Sequence, residues 1–171
     1  WSPEVRHAEN KEDLLRRIQS VVFSPQSLIN AFYLPEMPWE QHDCIAEARE
    51  LFRVRMMLLP YLYTMFWDYH TTGKAPVRAL VCDYQNESAC WDLSSEYLFG
   101  DSMIAAPLTA PEKERDVWLP EGEWYDFFTG EKFTGGVHHV VTDGIPVYVK
   151  AGTLLPVAEP VNYVLPDTRF D

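Results

Sequence analysis

Apolar positions recur at helical spacing from the start of the chain: Leu14, Leu15 and Ile18 share one face. Asn10 stands at the N-cap position and Glu12 and Asp13 fall in the first turn, so a helix is predicted over about residues 11 to 20. A second stripe runs through Ile45, Ala48, Phe52, Met56 and Leu59, with Glu47, Glu50 and Arg53 off it and Asp43 as the predicted N-cap. Pro60 lacks a backbone donor, which predicts a kink or a helix-to-helix join. The helical pattern resumes from Tyr61 to Tyr69 and ends before Gly73. Beyond Gly73 the texture changes. VRALVCDY (77–84), SMIAAPL (102–108), RDVWLP (115–120), EWYDFF (123–128), VHHVVT (137–142) and IPVYVKAG (145–152) read as strands, with turns at Gly122, Gly130, Gly135-Gly136 and Asp143-Gly144. Short strands at that spacing predict an antiparallel sandwich. The chain therefore divides near residue 73 into a helical part and a β part.

Between the predicted helices lies SPQSLINAFYLPEMPWEQ, residues 24–41, nearly uncharged and with Phe32, Tyr33 and Trp39 among its prolines. Two readings stand: packing material, or the wall of a binding site. The helical part poses a related question. One of its helices is so apolar that about 70 residues cannot bury it, so it needs a partner.

Composition narrows the function classes. The 171 residues are 47% hydrophobic and 14% aromatic, enough for a real core. A net charge of -12 repels phosphate backbones, so no nucleic-acid partner is expected. No apolar run approaches the roughly 20 residues of a membrane helix, so no membrane partner is expected either. Cys44, Cys82 and Cys90 show no CxxC spacing, which argues against zinc. Cys82 and Cys90 are close enough in sequence to bridge a short loop, and Asn86-Glu87-Ser88 is a glycosylation sequon; free thiols and an unused sequon are the competing readings. His138 and His139 would point to opposite faces of a strand, and His7, His42 and His70 are scattered, so no metal is expected. Glu36 and Glu40 share a face only in a helix, which Pro35 and Pro38 oppose.

Several runs resemble glycoside hydrolase family 31, the α-glucosidase and α-xylosidase family. RMMLLPYLYTMF (55–66) is similar to its helix signature, GKAPVRAL (73–80) to its Gly-x-Pro-Val-x-Arg-Pro-Leu segment with Ala79 in place of Pro, and EYLFGDSMIAAPL (96–108) to its Gln-Tyr-Met-Phe-Gly-Asp strand. VWLPEGEWYDFFTGEKFTGG (117–136) and IPVYVKAGTLLP (145–156) resemble two further segments, in the family's order. Residues 1–54 match less well.

The resemblance implies a fold and a place in it: residues 1–72 as the C-terminal end of a (β/α)8 TIM barrel, residues 73–171 as the proximal antiparallel β-sandwich. It implies a retaining α-glycosidase in which one carboxylate attacks the anomeric carbon and a second protonates the leaving oxygen. Both aspartates are expected upstream, since no Trp-x-Asp-Met-Asn-Glu-like run occurs, so this chain alone holds no catalytic residue. No cofactor is implied. The implied partners are an oligosaccharide or α-glycoside substrate and the N-terminal remainder of the same enzyme. Residues 24–41 then align with a barrel-mouth loop of pattern Pro-x-x-Arg-x-His followed by Pro-Trp. Here Leu28 holds the Arg position, Asn30 the His position, and Pro38-Trp39 the anchor. Asn30, Phe32, Tyr33, Trp39 and Trp1 are the candidate sugar contacts; packing is the rival reading for Trp39. Asp101 and Asp126 match sandwich positions and are expected to fix turns through side-chain-to-backbone bonds. An α-transglycosylase, an independent carbohydrate-binding sandwich and an inactive structural homologue remain open.

Overall fold

The structure, a computed structural model, describes residues 5–29 and 34–169. Helix α1 spans Lys11–Val22, and Asn10 caps it by accepting the Asp13 N–H at 3.0 Å. A short helix α2 spans Pro38–Gln41, α3 spans Ile45–Met57 and α4 spans Leu59–Thr72. The join predicted at Pro60 is present, with Leu58 closing α3 and opening α4 while fully buried. Gly73 ends α4 at φ 78°, a conformation that costs glycine nothing. The N-cap of α3 is Cys44 rather than Asp43, because the chain enters it from a left-handed turn in which Asp43 itself takes φ 48°. Ile45 is correspondingly exposed and does not join the buried stripe.

The β part contains β1 (Val77–Arg78), β2 (Tyr97–Phe99), β3 (Met103–Ala105), β4 (Glu114–Asp126), β5 (Lys132–Val141) and β6 (Val147–Lys150). They form one antiparallel sheet of order β1-β2-β3-β6-β4-β5. Three predictions change: the turn expected at Gly135-Gly136 lies inside β5, where Gly136 pairs with Leu119, and two strand runs take other bounds. The 77–84 run is a strand only at Val77–Arg78, after which Leu80–Cys82 coils into a 3-10 turn. The 115–120 and 123–128 runs are one long strand, broken only by a register shift between Leu119 and Glu123. Gly135 faces that shift, where a β-carbon would lie 2.8 Å from the Pro120 carbonyl oxygen.

Side chains alternate across this sheet with the two-residue period of a strand. Phe99, Met103, Ala105 and Val147 enter a core with Leu14, Ile18, Val22, Leu58, Tyr61 and Met65 of the helices. Leu98, Ile104 and Tyr148 enter a second core with Val117, Leu119 and Trp124 of β4. The sheet thus has both faces covered, one by helices and one by its own long hairpin. Arg16, buried on α1, ties the helices to the far loops by donating to the carbonyls of Gly144 (2.5 Å), Glu112 (3.0 Å) and Thr142 (3.2 Å). Among the described residues before Gly73 there is no strand, so the end of a barrel expected for residues 1–72 is not seen as such.

Candidate functional site

The loop of residues 24–41 leaves α1 through a run of four carbonyls, each taken by a side chain from elsewhere. The last carbonyls of a helix lack intrahelical partners. Arg55 of α3 donates to the carbonyls of Val22 (2.9 Å), Ser24 and Pro25 (3.1 Å). The Tyr97 hydroxyl of β2 donates to the Phe23 carbonyl at 2.8 Å. Ser24 turns the chain by offering its hydroxyl to Val21 (2.8 Å) and Gln26 (2.7 Å). The Phe23 ring is fully buried and meets Phe99, Phe127 and Phe128 edge-on. Burial lowers the pKa of Arg55 to about 10 and raises that of Tyr97.

The other end of the loop is anchored by α2. Pro38 opens that helix, and Glu40 accepts the Met37 N–H at 3.2 Å, so its carboxylate serves as a cap. Glu36 is exposed. The half-buried Trp39 ring stands edge-on to Phe52 of α3, with centroids 5.9 Å apart, and the Trp39 carbonyl accepts the Cys44 N–H at 2.9 Å. Trp39 is thus placed in packing contact. Trp1, Asn30, Phe32 and Tyr33 lie outside the described residues, and Leu28 is half exposed.

The remaining expectations resolve one by one. Asp126 fixes a turn, its Oδ1 accepting from the N–H groups of Phe128 (2.9 Å) and Thr129 (2.7 Å). Asp101 instead pairs with Arg78 (2.7 Å) and Lys74 (2.9 Å), because the buried Arg78 guanidinium of β1 lies beside it. Arg78 also binds Asp83, and that hydrogen bond holds the Asp83 carboxyl below its usual range. His138 and His139 diverge: the first meets the Thr134 carbonyl oxygen at 2.6 Å, the second Asp116 at 2.8 Å. Cys44, Cys82 and Cys90 are all free thiols, and the buried Cys90 donates to the carbonyls of Tyr84 and Glu87. Two groups gave no sequence signal. Arg55 lies at the start of the 55–66 run on α3, a helix that also carries Glu47, Arg49, Glu50 and Arg53, so its charge alone did not single it out. Glu96 is buried and carries its pKa up to about 7 through desolvation.

One surface stands out. Tyr63, Phe66, Trp67 and Tyr69 of α4 are exposed, Tyr63 at 73%, and a groove of about 660 Å³ runs beside α4 between Leu59, Leu62, Phe66, Pro156 and Val164.

This arrangement of signature helix, capped α4 and six-stranded sheet has known counterparts. The sequence model of the glycosyl hydrolase family 31 C-terminal domain matches residues 73–155. The chain belongs to glycosyl hydrolase family 31. It is 34% identical to an alpha-xylosidase of Saccharolobus solfataricus over 154 residues, covering 85% of this chain and 21% of that one. It is 30% identical to alpha-glucosidase 2 of Bacillus thermoamyloliquefaciens, covering 90% and 20%. Among solved structures, a family 31 dextranase of Flavobacterium johnsoniae complexed with glucose superposes with a TM-score of 0.81 at 30% identity, covering 93% and 20%. The chain therefore spans about a fifth of the length of these two curated relatives.

Proposed function

We propose that this chain is the C-terminal part of a retaining α-glycosidase that hydrolyses α-glycosidic bonds in oligosaccharides. The observation that carries the reading is the 85% coverage of the chain by an alpha-xylosidase at 34% identity, an extent that includes part of the helices as well as the sheet. In this reading residues 1–72 complete a (β/α)8 catalytic barrel and residues 73–171 form the proximal sandwich that braces it. The left-handed stop at Gly73 and the start of the family match at the same residue support that boundary. The two catalytic carboxylates are supplied upstream, one as nucleophile and one as acid and base.

Residues 24–41 serve as a rim loop, with Asn30, Phe32, Tyr33 and Trp1 as sugar contacts and Trp39 as the anchor that its contact with Phe52 supports. Asparagine at position 30 donates and accepts hydrogen bonds but carries no proton. The exposed aromatic face of α4 is where the N-terminal remainder of the enzyme docks. An independent carbohydrate-binding sandwich fits less well, because helical and sheet residues share one core.

The test is hydrolysis by the full-length protein of aryl α-glucosides and α-xylosides, with the first-formed anomer read by NMR. The expected first product is the α-anomer. Release of the β-anomer, or no release from any α-glycoside, overturns the reading. Product analysis on maltose then separates hydrolysis from transfer.

A further inference from the structure

Arg55 stands on the wall of the groove beside α4 and is the only charged residue lining it among the described residues; Tyr63 is the only other ionisable one. A guanidinium has five N–H donors. Three of those on Arg55 reach carbonyls: Nη1 donates to Val22 at 2.9 Å and to Ser24, and Nη2 donates to Pro25 at 3.1 Å. One donor on Nε and one on Nη2 have no acceptor among the described residues.

Carbonyls carry no net charge, so the cation has no counter-ion there. Burial is the one influence on its pKa, and it acts downward. A partly desolvated cation against apolar walls is unfavourable until an anion pairs with it. The nitrogens that keep an open donor, Nε and Nη2, are the pair that a carboxylate bridges when it takes a guanidinium side-on. The groove therefore asks for an apolar occupant with a carboxylate at its α3 end.

The groove is continuous with the exposed aromatic face of α4, since Tyr63 and Phe66 belong to both. The two curated relatives described above carry about four fifths of their length outside the part this chain matches. A segment of the same polypeptide meets the groove at high effective concentration, which a separate molecule does not.

We propose that an acidic side chain of the N-terminal remainder of the enzyme enters this groove and pairs with the Nε and Nη2 edge of Arg55. The proposal deepens the reading that the remainder docks on α4, and rests on it. Apolar neighbours of that acid fill the space between α4 and Pro156 and Val164. Arg55 then holds the carbonyls that follow α1 with one part of its fork and the docked segment with the other.

The experiment takes the full-length protein and its Arg55→Met variant through thermal unfolding between pH 3 and pH 7.5. Loss of the three carbonyl bonds lowers Tm equally at every pH. A carboxylate paired with Arg55 titrates lower folded than unfolded, so its contribution is present above about pH 4.3 and lost as the pH falls further. The expected result is a Tm deficit largest at neutral pH that shrinks below about pH 4. A deficit constant across the range overturns the pair. Arg55→Lys, which keeps the charge and loses the side-on edge, is read the same way if Arg55→Met does not fold. Hydroxyl-radical footprinting of the unsubstituted full-length protein tests the docking by itself. Tyr63 and Phe66 are expected to be slow to oxidise when folded and fast after unfolding in urea. Equal rates in the two states overturn the docking and the pair together, whereas protection with a constant deficit overturns the pair alone. Protection that appears only as light scattering shows a dimer gives the groove to a second copy and overturns the proposal.

Discussion

The Tyr61 hydroxyl on α4 donates to the Phe99 carbonyl at 2.8 Å and accepts the Ser102 N–H at 3.2 Å, so one side chain of the helical part closes the β2–β3 turn. The hydroxyl is buried, and desolvation raises its pKa. Tyr61→Phe would take this partner from the buried Phe99 carbonyl and the part-buried Ser102 N–H, and is expected to cost about 1–3 kcal/mol. A urea titration is expected to show a lower midpoint with an unchanged slope.

The same contact decides Gly100. It takes φ 68°, and a β-carbon there would overlap the Tyr61 hydroxyl and crowd Met65 at 3.0 Å. Gly100→Ala therefore pays both backbone strain and a clash, and is expected to cost about 2–4 kcal/mol. Combining Gly100→Ala with Tyr61→Phe should cost less than the two separately, because losing the hydroxyl removes the nearest clashing atom and leaves the ring carbon Cζ at 2.7 Å. Strict additivity in that double-mutant cycle would refute the contact.

Glu96 predicts a pH dependence with a definite sign. Its Oε1 accepts the Trp118 N–H at 3.1 Å, while its Oε2 is buried with no hydrogen-bond partner among the described residues. Burial raises its pKa from 4.5 to about 7, with the Trp118 bond and the charge of Arg115 opposing the rise. A carboxyl that binds its proton more tightly folded than unfolded contributes stability fully present below pH 4.5 and lost as the pH rises through 7. The loss amounts to about 3 kcal/mol. Glu96→Gln has no charge to desolvate, so its stability relative to the unsubstituted chain should climb between pH 4.5 and 8. A constant difference across that range would rule the account out.

Arg78 carries the opposite dependence. Its guanidinium binds Asp83 and Asp101 and donates to the carbonyls of Gly100 (3.0 Å) and Ala75 (3.2 Å). The Arg78 bond holds Asp83 below 3.8; for Asp101, burial pushes upward but bonds to Lys74 and Arg78 outweigh it. Their contribution is present above pH 3.8 and is lost as the pH falls further. Arg78→Met leaves Lys74 as the cation facing Asp83 and Asp101 and removes the donor to the Gly100 and Ala75 carbonyls, and is expected to cost about 1–3 kcal/mol at neutral pH. The deficit should shrink towards pH 2 as both acids protonate, which acid titration followed by circular dichroism would reveal.

Local chemistry made much of this fold legible in sequence. Asn10 capped its helix, Pro60 marked the join, Gly73 stopped α4, and the motifs from Arg55 to Pro156 pointed to family 31. What escaped reading depended on partners that no periodicity rule connects. Pro120 and Gly122 looked like a break between two strands, yet the ladder to β5 carries β4 across them through a register shift. The 77–84 run looked like one strand, yet the Arg78–Asp83 pair curls it after two residues. Arg55 was visible, but its acceptors lie some 30 residues earlier, and no spacing rule connects them. In the 24–41 segment the sequence named Asn30, Phe32 and Tyr33, while the structure describes the contacts at its two ends.

The thiols supply a final prediction. Cys82 is exposed on the 3-10 turn after β1, whereas Cys44 and Cys90 are buried, and desolvation raises the pKa of both. The thiolate is the reactive form, so burial and a raised pKa act together against modification. A disulfide reagent at pH 8 should therefore titrate one thiol rapidly in the folded chain and three after unfolding in guanidinium. Reducing agent should leave the melting temperature unchanged, since no bridge constrains the unfolded chain. A single thiol in the unfolded, unreduced protein would instead mean that two of the three cysteines pair.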